Sequence, residues 1–438
     1  MITSYAQAIH YLNEVCPSFV QQGKRAYQPG LDKSYQWMDY LHYPKLPYAT
    51  IHVAGTNGKG STSHLIASVL QCAGYKVGLF TSPHLLDFTE RIRINGTPIA
   101  QQAVTDFVNK HRPFIEQIGS SFFITTMALA FDYFAKKGVE VAVIETGIGG
   151  KNDSTNIINP VLSVITNVGW DHTDILGNTL QQIASEKAGI IKPNTPCIIG
   201  EYDEQTASVF IEKAKQCDIL GDGLETTNCQ LFFADQCVFL HKKLQQIVSN
   251  CPLQGNYQLK NKQTAYVALA FLQGKKIFQI TNEHIRKGYE NVCKMTGLRG
   301  RMEEIQTANH HYFLDIGHNP PAFQYTSQQL KTWLKTAPNL HIIFGMMADK
   351  DVESVIKLLP SQAHFYLTQA HSQRAMPAQE LEKIVKKHHH SPFIQAFATV
   401  EQALTQARQN AQPNDIIFIG GSNYIVAEAL PFIDDENP

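Results

Sequence analysis

Lys59 stands in a run of small and hydroxyl-bearing residues, Gly55-Thr56-Asn57-Gly58-Lys59-Gly60-Ser61-Thr62, whose chemistry suits phosphate. Glycines let successive backbone N–H groups turn toward one anion, and the lysine reaches the terminal phosphates. Ser61 or Thr62 offers a hydroxyl to Mg²⁺. The spacing differs from the common G-x-x-x-x-G-K-[ST] loop because Gly60 separates the lysine from the hydroxyl. Ahead of the loop, Ile51-His52-Val53-Ala54 reads as a buried strand. Behind it, Leu65, Ile66, Val69 and Leu70 fall on one face of a helix. That order places the anion at a helix N-terminus, where the dipole favours negative charge.

Three further apolar runs end in polar groups. Tyr75–Phe80 leads into Thr81-Ser82-Pro83-His84, and Val139–Ile144 into Glu145-Thr146-Gly147. Val161–Asn167 leads into Gly169-Trp170-Asp171-His172. Open α/β sheets bind ligands beyond the carboxyl ends of their strands. Ser82 is thus a second hydroxyl near the phosphates, and Glu145 has the position of a Mg²⁺ carboxylate. Any one of these residues alone reads as an ordinary loop residue; their recurrence at successive strand ends favours a site. Lys187, in Ser185-Glu186-Lys187-Ala188-Gly189, reads on its own as a solvated helix lysine.

The elements that must position these groups follow from periodicity. Helical spacing runs through Tyr5, Ile9, Leu12 and Val15, and Trp37–Leu41 reads as a short helix. Residues 121–134 form a helix stopped by Lys136-Lys137-Gly138, and 179–191 form another. Leu231-Phe232-Phe233 and Val238-Phe239-Leu240 read as strands, and a helical run contains Ala265, Val267, Ala268 and Leu269. A boundary near Gly297–Arg301 precedes a restarted alternation, with strands at 312–315, 341–345, 363–367 and 415–420. His388-His389-His390 reads as an exposed helix end. The fold class is α/β: a phosphate-loop ATPase domain with a mostly parallel sheet (1–296), then a smaller Rossmann-like doubly wound α/β domain (297–438). A chain of 438 residues, 43% hydrophobic, supports two cores. A net charge of −1 gives no case for nucleic acid or an anionic membrane. Eight scattered cysteines without a C-x-x-C pair suit a reducing compartment. No leader pattern and no apolar run near ~20 residues are evident, so a cytoplasmic protein is expected, acting as a monomer.

The chain resembles the folylpolyglutamate synthase/dihydrofolate synthase branch of the Mur ligases along nearly its whole length. Carrying the resemblance are the phosphate loop, Thr81-Ser82-Pro83-His84, Glu145-Thr146-Gly147-Ile148-Gly149-Gly150, Asp171-His172-Thr173, Ser185–Ile190, Gly300-Arg301, Asp315 with His318-Asn319-Pro320, and Gly345–Asp351. It implies an ATP-dependent acid–amino-acid ligase that adds L-glutamate to dihydropteroate and to reduced folates through an acyl phosphate. Ser61, Ser82, Glu145, His172 and Lys187 match metal positions for two Mg²⁺ ions, Lys187 being a lysine that the family carbamylates. Lys59, His172 and Lys187 match catalytic positions. Asn261, Arg301, Asp315 and His318 join the phosphate loop as nucleotide-binding positions, with ATP between the two domains, and Phe122, Phe123 and Asp153 match the pterin substrate's surroundings. Three departures stand out. Lys151-Asn152-Asp153 replaces Arg-Leu-Asp, Asp315-Ile316-Gly317-His318 replaces Asp-Gly-Ala-His, and Ile124 replaces a glutamate beside the pterin. Two other readings fit the same motifs: a Mur-type ligase acting on a non-pterin carboxylate, and a non-catalytic nucleotide-binding relative. Intact Lys59, Glu145, His172 and Lys187 argue against the last.

Overall fold

A computed structural model of the chain describes residues 2–17, 27–217, 231–236 and 250–436; the expected strand Val238-Phe239-Leu240 lies outside the described residues. The chain forms two compact units: Met1–Pro252 with Lys260–Leu298, and Leu253–Leu259 with Arg299–Pro438. The short segment 253–259 thus packs with the second unit although it interrupts the first in sequence.

The first unit is built on an eight-stranded sheet. Its strands are β1 (Ala49–Ala54), β2 (Val77–Phe80), β3 (Ile92–Ile94), β4 (Thr97–Pro98), β5 (Val141–Glu145), β6 (Leu162–Ile165), β7 (Cys197–Ile199) and β8 (Leu231–Phe233). Their order is β4-β3-β2-β5-β1-β6-β7-β8. The pairs from β2 through β8 are parallel, while β3 and β4 add an antiparallel edge. Strand β1 is central and buried along Ile51, Val53 and Ala54. A parallel strand covered on both faces needs such an apolar run, and each buried Ile or Val side chain contributes about 1.5–3 kcal/mol.

Helix Lys59–Cys72 follows β1 and is buried on every side from Gly60 to Leu70, not only on the expected apolar face. Its hydroxyl-bearing side packs against helix Asn282–Glu290. There a Cβ on Gly288 would lie 2.6 Å from Val69 Cγ2, and Ser68 Oγ donates to the Gly288 carbonyl (2.8 Å). Small residues allow this close approach, and Ser68 is satisfied across it, whereas the buried hydroxyls of Thr62 and Ser63 find no hydrogen-bond partner among the described residues. Helix Phe122–Lys136 is capped by Ser121, whose Oγ accepts from Ile124 N–H (3.3 Å). It joins helices Tyr5–Val15, Asp32–Tyr40 and Gln101–Ile118 in a second apolar layer that contains Trp37, Phe107, Phe131 and Phe134.

The second unit carries six strands, ordered β13-β12-β11-β14-β10-β9. These are β9 (Arg301–Gln306), β10 (His311–Asp315), β11 (Leu340–Phe344), β12 (His364–Leu367), β13 (Ile394–Ala396) and β14 (Ile416–Gly420). Only the β9–β10 pair is antiparallel. The interior holds a closed polar group: His341 Nε2 meets Asp415 Oδ2 (3.1 Å) and His341 Nδ1 meets Tyr366 Oη (2.9 Å). The histidine run differs from expectation. His388 ends helix Ala378–His388 beside Glu353 (2.8 Å), but His389 is buried against Phe365 with Nε2 on the Ile356 carbonyl (2.7 Å).

Two buried histidines make the first unit acid-sensitive. Burial, reinforced by the Lys192 charge, holds His52 down at about 3; its Nε2 lies 2.8 Å from Thr155 Oγ1. Burial also holds His111 down at about 4, with Lys110 and Lys136 adding to the effect and Asp132 opposing it. Both folded values lie below the ordinary 6.5. On acidification the unfolded chain therefore takes up protons first, so stability is fully present above about pH 6.5 and declines toward pH 4. Thermal unfolding followed between pH 7 and 4 should show that decline, with a shallower slope in His52→Gln.

Candidate active site

Four neighbouring parallel strands, β2-β5-β1-β6, end at one edge of the first sheet, and their carboxyl ends deliver most of the expected groups. Beyond β1 the chain turns at Gly55 (φ +154°), where a Cβ would lie 1.8 Å from Thr166 Oγ1. Gly58 (φ +79°) then starts helix Lys59–Cys72 in a left-handed conformation, and a Cβ there would lie 2.1 Å from Asn261 Oδ1. Both positions require glycine, on steric and conformational grounds together. Lys59 Nζ donates to the carbonyls of Gly55 (3.0 Å) and Thr56 (3.1 Å), so the ammonium lies over the loop. Ser61 and Thr62 are buried in the first helical turn.

Ser82 lies two residues past β2, and its N–H points to Glu145 Oε2 (3.4 Å). Glu145 is the last residue of β5 and only 3% exposed. Beyond β6, the Asp171–His172 turn begins helix Thr173–Leu176. His172 is left-handed (φ +48°), its N–H donates to Asp171 Oδ1 (2.9 Å), and its Nε2 lies 4.0 Å from Asp171 Oδ2. A non-glycine residue held there stores about 1–2 kcal/mol of strain, as residues at functional turns often do.

Lys187 is not a solvated helix lysine. It is 2% exposed, in the last turn of helix Leu180–Ala188. Burial first, and then the Lys59 charge, pull its amine down to about 7, against Asp171, Glu186 and Asp153. The loop after β5 wraps this helix end. A Cβ on Gly150 would lie 2.8 Å from the Glu186 carbonyl, and Lys151 N–H donates to that carbonyl (2.6 Å).

Asp153 is buried and engaged by its own loop: Oδ2 accepts from Gly147 N–H (2.8 Å) and Ile148 N–H (3.0 Å), and Oδ1 from Thr155 N–H (3.0 Å). Its carboxylate shapes the loop under Phe123, whose ring would lie 2.7 Å from a Cβ on Gly147. Phe122 is buried edge-on to Phe88 (5.6 Å between ring centroids), with Arg91 over its ring at 5.5 Å. Ile124 is 2% exposed within the apolar core, so its side chain belongs to the interior.

Arg301, Asp315 and His318 lie in the second unit. Asp315 ends β10, and burial pushes its carboxyl up against hydrogen bonds from Tyr257 Oη, Gly317 N–H (2.8 Å) and Met302 N–H (2.9 Å). The charge of Arg301, at the start of β9, pulls the same carboxyl down. His318 Nδ1 donates to the Ile316 carbonyl (3.1 Å), and Asn319 caps helix Pro320–Trp333. Three residues that motif reading did not single out touch these groups: Thr166 and Asn167 beside the phosphate loop, and Tyr257 on Asp315. Their roles depend on long-range contacts that no local pattern announces. Among the described residues, no cluster of three or more His, Cys, Asp or Glu side chains forms a metal cage, and no helix is long and apolar enough to cross a membrane. The oxygen donors at these strand ends, the Glu145 carboxylate with the Ser61 and Ser82 hydroxyls, suit Mg²⁺, which takes few protein ligands and keeps phosphates and waters around it.

Residues 53–269 match the Mur ligase middle domain, and residues 300–423 match the Mur ligase glutamate ligase domain. Together these matches define a Mur-type ligase. A Bacillus subtilis dihydrofolate synthase/folylpolyglutamate synthase is 34% identical over 356 residues, 77% of this chain and 80% of the relative. A probable bifunctional folylpolyglutamate synthase/dihydropteroate synthase of Haloferax volcanii is 31% identical over 92% of this chain, which spans only 48% of that longer relative. Among solved structures, E. coli FolC in complex with DHPP and ADP superposes with a TM-score of 0.81 at 25% identity, covering 100% of this chain and 99% of that one. A bifunctional folylpolyglutamate synthase/dihydrofolate synthase with Mn, AMPPNP and L-glutamate bound gives 0.80 at 25%, covering 99% and 98%. The chain belongs to the Mur ligase family, in its folylpolyglutamate synthase/dihydrofolate synthase branch.

Gly58 is the most demanding position of the loop. Gly58→Ala combines a left-handed alanine with a clash against Asn261, and ADP affinity measured by calorimetry should fall at least about tenfold while the fold survives.

Proposed function

We propose that this protein is an ATP-dependent ligase that joins L-glutamate to dihydropteroate and to reduced folates. The observation that carries the reading is a shaped phosphate loop at the end of β1, with Glu145 closing the adjoining β5 and a buried lysine, Lys187, on helix Leu180–Ala188 close enough to feel the Lys59 charge. The acid's carboxylate attacks the γ-phosphorus of ATP, giving an acyl phosphate and ADP. The amino group of glutamate then attacks the acyl carbon, an amide forms, and phosphate leaves. Because two anions must meet in the first step, the site needs concentrated positive charge and fixed positions more than a strong base.

In this reading the backbone from Gly55 to Thr62 holds the phosphates, and Lys59 swings its ammonium from the loop carbonyls onto the terminal phosphate. Asn261, whose side chain lies against Gly58, supports the loop. Mg²⁺, as two ions, would be held by Ser61, Ser82, Glu145, His172 and Lys187, and supplies charge neutralisation at the phosphates. Lys187 serves as a carbamate: its neutral amine adds to CO₂ with loss of a proton, which turns a cation into an oxygen ligand. An amine held near 7 has a substantial neutral fraction at physiological pH, which favours that addition. Phe123 offers its ring to the pterin, Phe122, covered by Arg91, supports that wall, and Asp153 acts through the Gly147–Ile148 amides. The protein works as a cytoplasmic monomer, for which light scattering should give 49.0 kDa.

The deciding experiment is ADP release with ATP, Mg²⁺ and L-glutamate, with dihydropteroate and tetrahydrofolate as alternative acceptors. Turnover with both is expected. Turnover with neither, alongside retained ADP binding, would redirect the assignment to another carboxylate. For Lys187, ¹³C-bicarbonate should give a carbamate signal that Lys187→Ala lacks. That variant should lose at least about a hundredfold in kcat and recover partly with added formate.

A further inference from the structure

The four residues Thr166–Gly169 hold the phosphate loop through more than strand pairing. Thr56 N–H donates to the Asn167 carbonyl (3.1 Å), and Asn57 N–H to Asn167 Oδ1 (2.9 Å). Thr166 Oγ1 donates to the Asn57 carbonyl (2.6 Å), in the space that a Cβ on Gly55 would occupy. Thr56 Oγ1 donates to the Gly169 carbonyl (3.1 Å) and accepts from the Gly169 N–H (3.0 Å). The same segment continues directly into Asp171 and His172. One side of the loop is thereby fixed by protein groups, and the segment that follows β6 is pinned at both Asn167 and Gly169.

We propose that Asn167 is a positioning residue that, with Thr56, couples the phosphate loop to the Asp171–His172 turn. Its carboxamide oxygen takes up the Asn57 N–H, so the loop keeps its cradle shape without a phosphate to organise it. Because Gly169 is clasped by Thr56, a shift of the loop moves the turn that follows it. Nucleotide affinity and metal dependence therefore share one brace. This inference rests on reading the loop as the nucleotide site.

The test compares Asn167→Ala, Thr56→Val and Thr56→Ser with wild type by ADP calorimetry and steady-state kinetics. Thr56→Val keeps shape and removes both Gly169 bonds; Thr56→Ser keeps them. Asn167→Ala should weaken ADP binding, raise the KM for ATP and raise the half-saturating Mg²⁺, each by about tenfold, the scale of one lost loop hydrogen bond. The KM for glutamate should not change. Thr56→Val should behave alike, Thr56→Ser should recover most of what Thr56→Val loses, and the double variant should lose less than the product of the two single losses. ADP affinity and KM for ATP within twofold of wild type in Asn167→Ala would overturn the coupling. So would parallel increases in the ATP and glutamate KM values, the signature of general loosening. Absence of ADP binding in the wild-type protein would instead defeat the functional reading beneath it.

Discussion

A missing Cβ organises the catalytic half of this molecule. At Gly55 the chain leaves its central strand along a path that no side chain permits, because the Thr166 hydroxyl occupies the space beside the α-carbon. That close approach brings β1 and β6 together beyond the end of their ladder. It lets one threonine satisfy a loop carbonyl and sets the direction in which the following amides point. The phosphate loop is thus a product of two adjoining strands, and the long buried helix behind it keeps it from relaxing. Hydrogen bonds rather than apolar contacts do the final shaping, which suits a surface that must meet a highly charged ligand without rearranging.

Charge is handled by burial as much as by pairing. Lys59 and Lys187 oppose each other, and the second, enclosed by the Gly149–Gly150 loop, bears the cost as a weakened hold on its proton. Glycine is again the enabling residue, since a side chain at Gly150 would meet the helix backbone. Asp153 stabilises that loop from within. The segment Lys151-Asn152-Asp153 is therefore anchored by its aspartate.

Much of this was legible in sequence because it is local. Strand–loop–helix order at residues 49–72, the polar ends of β2, β5 and β6, and the restart of alternation after residue 300 all follow from short-range pattern. What was not legible depends on distant partners. Lys187 looks solvated until the loop from Gly149 to Lys151 covers it. Asn167 looks like a strand-end amide until Asn57 comes to it from 110 residues away. Ile124 looks like a lost polar contact to the substrate, yet its helix turns it into the core while neighbouring Phe123 keeps the face toward Gly147. Strands β9 and β13 carry no such pattern: one is an edge rich in charge, Arg301-Met302-Glu303-Glu304-Ile305-Gln306, and the other has three residues. His389 sits in a run that reads as polar throughout, yet its ring packs on Phe365.

The three tryptophans fall in three different surroundings. Trp37 is sealed in the aromatic layer beside Phe107 and Phe114, and Trp333 lies tilted against Phe313 in the second unit. Trp170 is 45% exposed, one residue from the clasped Gly169. Indole emission shifts to longer wavelength as the ring meets water, so the protein carries three native optical reporters of unlike colour. One watches the helical layer, one the second sheet, and one the rim of the phosphate loop, and events at each can be followed in the unlabelled chain.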